Sequence, residues 1–95
     1  MNTYEYGFSR TARSNIDYKG AIKAENADNM RKRAIVLLTA ERTLNGYGYM
    51  HIWNDKTAGM IYFSYRDTPI WVTGNKAYTV SRRTGKLSGG EQIIL

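Results

Sequence analysis

The sequence predicts a single α+β domain: one helix packed on a mostly antiparallel sheet of five to six strands, in the order β-β-α-β-β-β. Three observations predict it. Apolar and polar residues alternate in the first two dozen positions, the apolar spacing changes to a 3.6-residue period after Asn26, and alternation returns from Tyr47 onwards. The chain has 95 residues, 42% of them hydrophobic, with nine glycines and one proline, which is enough for one core spanning residues 1–95 and too little for two. A lone helix covering one face of an antiparallel sheet is the natural layered solution for such an order.

Tyr4, Tyr6 and Phe8 alternate with Thr3, Glu5 and Ser9, so residues 3–9 are expected to form a half-buried strand. The polar stretch Arg10 to Asn15 breaks the pattern. Ile16, Tyr18, Gly20, Ile22 and Ala24 then alternate with Asp17, Lys19, Ala21 and Lys23, which predicts a second strand in a hairpin with the first. Ala27, Met30, Ala34, Leu37 and Leu38 lie on one helical stripe, with Asn26 suited to the N-cap and Asn45-Gly46 to the C-terminal stop. Tyr47, Tyr49, His51 and Trp53 alternate with Met50 and Ile52 in the next strand, and Asn54 to Gly59 has hairpin-loop chemistry before a return strand over 60–65. Arg66 to Pro69 reads as a turn, Ile70–Thr73 as a short strand, Ala77–Arg82 as another, and Thr84-Gly85-Lys86 as a tight turn. Residues Glu91 to Leu95 are expected either to add an edge strand or to fray.

Composition excludes much chemistry. There is no cysteine, hence no disulfide, thiolate nucleophile or Cys-based zinc site, and the single histidine, His51, does not make a metal site. No carboxylate cluster suggests a divalent cation, and no cofactor is expected. Fourteen Lys and Arg against eight Asp and Glu give a net charge of +6, which favours anionic partners. The first twenty residues have no signal-peptide core and nowhere do eighteen apolar residues run together, so no membrane association and a cytoplasmic location are expected.

Candidate residues fall into two groups. Basic clusters comprise Arg31, Lys32 and Arg33 on the helix face away from the apolar stripe, Arg10 and Arg13 in the first loop, and Arg82, Arg83 and Lys86 near the C-terminus. Each reads as a solvated face taken alone; together they could line an anion-binding surface. Tyr47, Tyr49, His51 and Trp53 share one side of a strand and form either a stacking platform for bases or a buried layer or subunit interface. His51 is the sole conventional general base, and its place among aromatics predicts a packed rather than a catalytic role, so no catalytic residue is assigned. Asp55 and Asp67 flank the 47–66 hairpin and could converge, but turn formation explains both. Leu87-Ser88-Gly89-Gly90-Glu91-Gln92 resembles the signature motif of ATP-binding-cassette ATPases, yet no Walker A accompanies it, and a Gly-Gly turn before a terminal strand is expected there.

The passage from Gly20 to Ala34, a strand passing through Ala24-Glu25 into a capped helix and then another strand, resembles a pattern found in small phage-encoded proteins, including some anti-CRISPR proteins. The resemblance covers residues 16–53. It implies a non-enzymatic inhibitor that docks on a bacterial immunity (CRISPR-Cas) complex in the host cytoplasm, and it places no functional residues. The +6 charge departs from acidic DNA mimics and implies contact with acidic protein, guide RNA or target DNA. The alternative is direct binding of single-stranded nucleic acid, with Arg31, Lys32, Arg33, Arg82 and Arg83 on phosphates and the strand aromatics on bases. A homodimer through the Tyr47, Tyr49, His51 and Trp53 face is the assembly expected if nothing else covers those rings.

Overall fold

The Tyr4-Tyr6-Phe8 alternation forms strand β1 (Asn2–Ser9), which pairs with β2 (Tyr18–Ala24) in an antiparallel hairpin with Tyr4 opposite Ile22 and Tyr6 opposite Gly20. These residues belong to a computed structural model that describes residues 1–92. Helix α1 (Ala27–Asn45) follows, then β3 (Tyr49–Trp53), β4 (Ala58–Phe63), β5 (Pro69–Thr73), β6 (Lys76–Val80) and β7 (Leu87–Gln92). All seven strands join one antiparallel sheet in the order β2-β1-β3-β4-β5-β6-β7. The α+β class stands as expected. The strand number corrects the expectation of five to six.

The extra strand is β7. Gly89 and Gly90, expected to turn the chain, instead lie within a strand at φ of 88° and 100°, where they form a bulge opposite Ala77 and Tyr78. Glycine permits that left-handed backbone without Cβ conflict, so the pair bends β7 without ending it. Glu91 and Gln92 are in β7; Ile93, Ile94 and Leu95 of the expected C-terminal segment lie outside the described residues. The β3–β4 hairpin forms with its return strand two residues earlier than expected, because Asn54 Oδ1 accepts from the amides of Lys56 and Thr57 and closes a short loop.

Helix α1 begins where the sequence indicated: Asn26 Oδ1 accepts from the Asn29 amide at 2.9 Å, and Asp28 sits in the first turn. It ends in a left-handed Gly46 whose amide donates to the Arg42 carbonyl, the bond of an αL ending, and Tyr47 N–H donates to the Glu41 carbonyl beyond it. Met30, Ala34, Ile35 and Leu38 are buried against the sheet, where Phe8, Met50, Ile61 and Trp71 form a cross-strand row beneath them. Each of the large side chains among them contributes about 1.5–3 kcal/mol by leaving water. Gly59 faces this row: a Cβ there would enter the Trp71 ring, so the indole lies flat over β4 only because position 59 has no side chain.

Register assigns the faces. Tyr4, Tyr6, Phe8, Met50, Ile52, Ile61, Trp71 and Val80 are buried on the helix side, so Glu5, Tyr49, His51, Trp53, Met60, Tyr62, Ile70 and Val72 lie on the other. No helix or strand packs on that second face among the described residues, although Gly7 and Ser9 on its β1 part are buried. Among the same residues no helix is long and apolar enough to cross a membrane.

Candidate functional site

The structure separates the sequence-predicted residues. Arg31 is the first correction: it was expected on the solvated helix face, yet it is only 6% exposed. Its Nε donates to the Gly85 carbonyl at 2.9 Å, Nη2 pairs with Asp28, and the guanidinium lies 5.6 Å from the Trp71 ring. Burial pulls its pKa below the usual arginine value, opposed by Asp28. Arg31 is therefore a clamp between α1 and the turn joining β6 to β7, unavailable to a phosphate. Lys32 and Arg33 are exposed, with Arg33 Nη1 donating to the Lys23 carbonyl at the β2 edge. Arg82 and Arg83 are exposed, and Arg82 lies beside the opposite flank of the helix from Arg33.

Tyr47 is the second correction. It precedes β3 and stacks on the buried Phe8 ring at 5.7 Å, capped by Arg10 at 5.0 Å, so it closes the helix-side core and does not join the other three. Tyr49, His51 and Trp53 do share the uncovered sheet face. Pairing extends them into two cross-strand rows, Tyr49–Tyr62–Ile70 and His51–Met60–Val72, and Trp53 Nε1 donates to Glu5 at 3.0 Å. Arg31, Arg33 and Arg82 thus lie on the face of the sheet opposite the aromatic rows. A single strand using both would have to wrap around an edge.

His51 Nε2 lies 2.9 Å from the Oγ of Ser9, which is fully buried and itself bonds the Thr11 carbonyl at 2.8 Å. The hydroxyl proton is committed to Thr11, so His51 must donate from Nε2 to Ser9. That is the reverse of a base activating a nucleophile, in which the imidazole accepts from the hydroxyl. Burial lowers the His51 pKa and keeps the ring neutral. Asp55 and Asp67 do not converge, since they lie beyond opposite ends of β4. Among the described residues no group of His, Asp or Glu could hold a metal ion.

A constellation that the sequence reading missed lies on the helix side. Ile35, Val36, Thr39, Ala40, Thr43, Leu44 and Arg82 line a groove of about 540 Å³ along α1. Val36 and Leu44 are 68% and 75% exposed, large aliphatic side chains left facing solvent. At the groove's end, Arg42 pairs with Asp67 at 2.9 Å, Arg82 Nη2 donates to the Asp67 carbonyl, and both guanidiniums stack over Phe63 at 4.6 and 5.1 Å. Arg66 and Asp67 both hold positive φ, 60° and 57°, in the turn that projects Tyr65 into solvent. Two consecutive non-glycine residues in the left-handed region store strain of the kind found at functional sites. The sequence signal was available as Val36-x3-Ala40-x3-Leu44, a second stripe at helical spacing that the first stripe overshadowed. No family model, curated protein or solved structure matches this chain.

Proposed function

We propose that the protein acts by binding and not by catalysis, as a phage-type inhibitor that seats an acidic amphipathic helix of a bacterial defence complex in the groove beside α1. The observation that carries this reading is the pairing of two exposed aliphatics, Val36 and Leu44, with an arginine, Arg82, that lines the same groove and has no carboxylate partner among the described residues. Val36, Ala40 and Leu44 offer a ridge with a small central residue, which admits a close helix crossing. Arg82, with Arg42 and Arg66 nearby, would meet carboxylates on the partner's rim, and the +6 charge speeds encounter with an acidic surface. The inhibitor part of the proposal rests on the resemblance over residues 16–53.

The test is phage plaque formation on hosts bearing each common CRISPR-Cas type, with wild type, Leu44→Glu and Arg82→Glu expressed in the host. Rescue by wild type that both variants lose is expected. Failure to rescue against every type removes the inhibitor reading, and rescue that survives Leu44→Glu removes the groove.

A second reading, single-strand nucleic-acid binding, has one observation in its favour: Lys19 and Lys23 share the uncovered face with the aromatic rows. Phosphate contacts release counterions, so oligonucleotide affinity would fall steeply between low and physiological salt. No binding at low salt eliminates it.

A further inference from the structure

Apart from the groove, the uncovered sheet face carries its own information about what it meets. Both sheet edges are blunted against strand addition, β2 by the exposed Lys19 and Lys23 and β7 by its glycine bulge. Association through this layer is therefore face to face. The row containing His51 runs Lys19, Gly7, His51, Met60, Val72, Ala77, Glu91 across all seven strands, and the next runs Ser9, Tyr49, Tyr62, Ile70, Thr79, Ser88. Each row is apolar or uncharged in the middle; the first is cationic at the β2 end and anionic at the β7 end, and β4 is the central strand.

We propose that two copies of this chain pack through that face about a two-fold axis parallel to the strands and passing over β4. Such an axis reverses strand order while preserving rows. It lays Lys19 over Glu91 of the other copy twice, Tyr49 over Ile70, His51 over Val72, and sets Met60 and Tyr62 against their own counterparts at the centre. The other in-plane axis, perpendicular to the strands, would lay β2 over β2 and bring Lys19 and Lys23 of both copies together, so charge selects between the two. Six spacings of about 4.8 Å by five residues of about 3.4 Å give a footprint on the order of 500 Å² per copy, or roughly 1,000 Å² per pair, where specific interfaces begin. The dimer leaves both α1 grooves facing outward, making the assembly bivalent.

Sedimentation velocity between about 1 and 200 µM tests it, a range wide enough to catch weak self-association. The expected wild-type mass at the upper end is twice 10.9 kDa. Met60→Lys brings two like charges together at the axis and should weaken association by about tenfold or more. Lys19→Glu and Glu91→Lys should each weaken it, and the double variant K19E/E91K should recover. Both lie at exposed positions, so the reversal pair stays informative if Met60→Lys lowers the melting temperature. A wild-type mass of 10.9 kDa throughout overturns the proposal and leaves the face to another partner. Indifference to Met60→Lys in a folded variant, or no recovery in the double variant, overturns the assigned axis.

Discussion

Replacing Arg31 distinguishes the structure from the sequence pattern, which places this residue among solvated helix cations. Arg31→Met keeps most of the apolar stem and removes the guanidinium. The Gly85 carbonyl then loses a buried donor, at about 1–3 kcal/mol, and the Trp71 ring loses a desolvated cation 5.6 Å from its centre, at about 0.5–2 kcal/mol. Against these stands relief of the burial penalty that depresses the Arg31 pKa, which offsets part of the loss. The net expectation is destabilisation by about 2 kcal/mol for Arg31→Met. Arg31→Ala also forfeits methylenes at about 0.8 kcal/mol each, for a total near 4 kcal/mol. In a domain of this size about 2 kcal/mol is a fall in Tm of roughly 8–16 °C, readily measured by circular dichroism and by urea midpoint. Lys32→Ala, one residue along, should stay within about 0.5 kcal/mol of wild type. Equal and small effects at positions 31 and 32 would refute the clamp and return Arg31 to the surface.

Three further expectations concern individual residues. Gly85→Ala combines φ of 75° with a Cβ that would overlap the Asp28 carbonyl, so destabilisation of about 3 kcal/mol or more is expected, against about 1 kcal/mol for Gly74→Ala, where φ is 59° but space is open; comparable urea midpoints for the two would show that the helix does not abut the β6–β7 turn. His51 has a folded-state pKa below its unfolded value near 6.5, so the unfolded chain binds the extra proton; stability is full above about pH 6.5 and declines as pH falls towards the folded pKa, and His51→Gln, which keeps a donor for Ser9, should flatten this decline below about pH 6.5. Arg66→Gly relaxes one left-handed residue and should stabilise the fold by about 0.5–1 kcal/mol while weakening partner binding at the groove; a loss of stability would show that the φ of 60° is not strained.

Much of the fold was legible because periodicity carries it. Tyr4-Tyr6-Phe8 and Met50-Ile52 read as strands, and Met30-Ala34-Leu38 with the Asn26 cap read as a helix, since side-chain alternation and capping are local. Arg31 was misplaced because its stem packs at the margin of the stripe while its charge is satisfied by a carbonyl 54 residues away, a partner no local pattern reveals. Tyr47 matches the strand alternation, yet the chain before Tyr49 is still unwinding from the helix ending, so the parity rule does not hold there. The Leu87–Gln92 strand was obscured by a glycine pair whose turn and bulge uses are identical in sequence. Of the candidate sites, the three aromatics of β3 were correctly grouped by parity. The Arg42, Asp67 and Arg82 cluster was not found, since it assembles across three segments and rests on two left-handed residues that carry no glycine or asparagine.

The position of β1 between β2 and β3 has a consequence for biosynthesis. From β4 onwards each strand pairs with the one just made, so the sheet lengthens at a single growing edge as chain emerges, and only the β1–β3 pairing spans α1. The hairpin and helix leaving the ribosome first form a template whose open side is the β1 edge, and every later strand is added outward from it. Shortening the chain from its C-terminus therefore strips strands one at a time from the newest edge without exposing older ladders. Removing β1 detaches β2 from the other five strands and breaks the ladder that joins the helix's contacts on β2 to its contacts on β3 and β4.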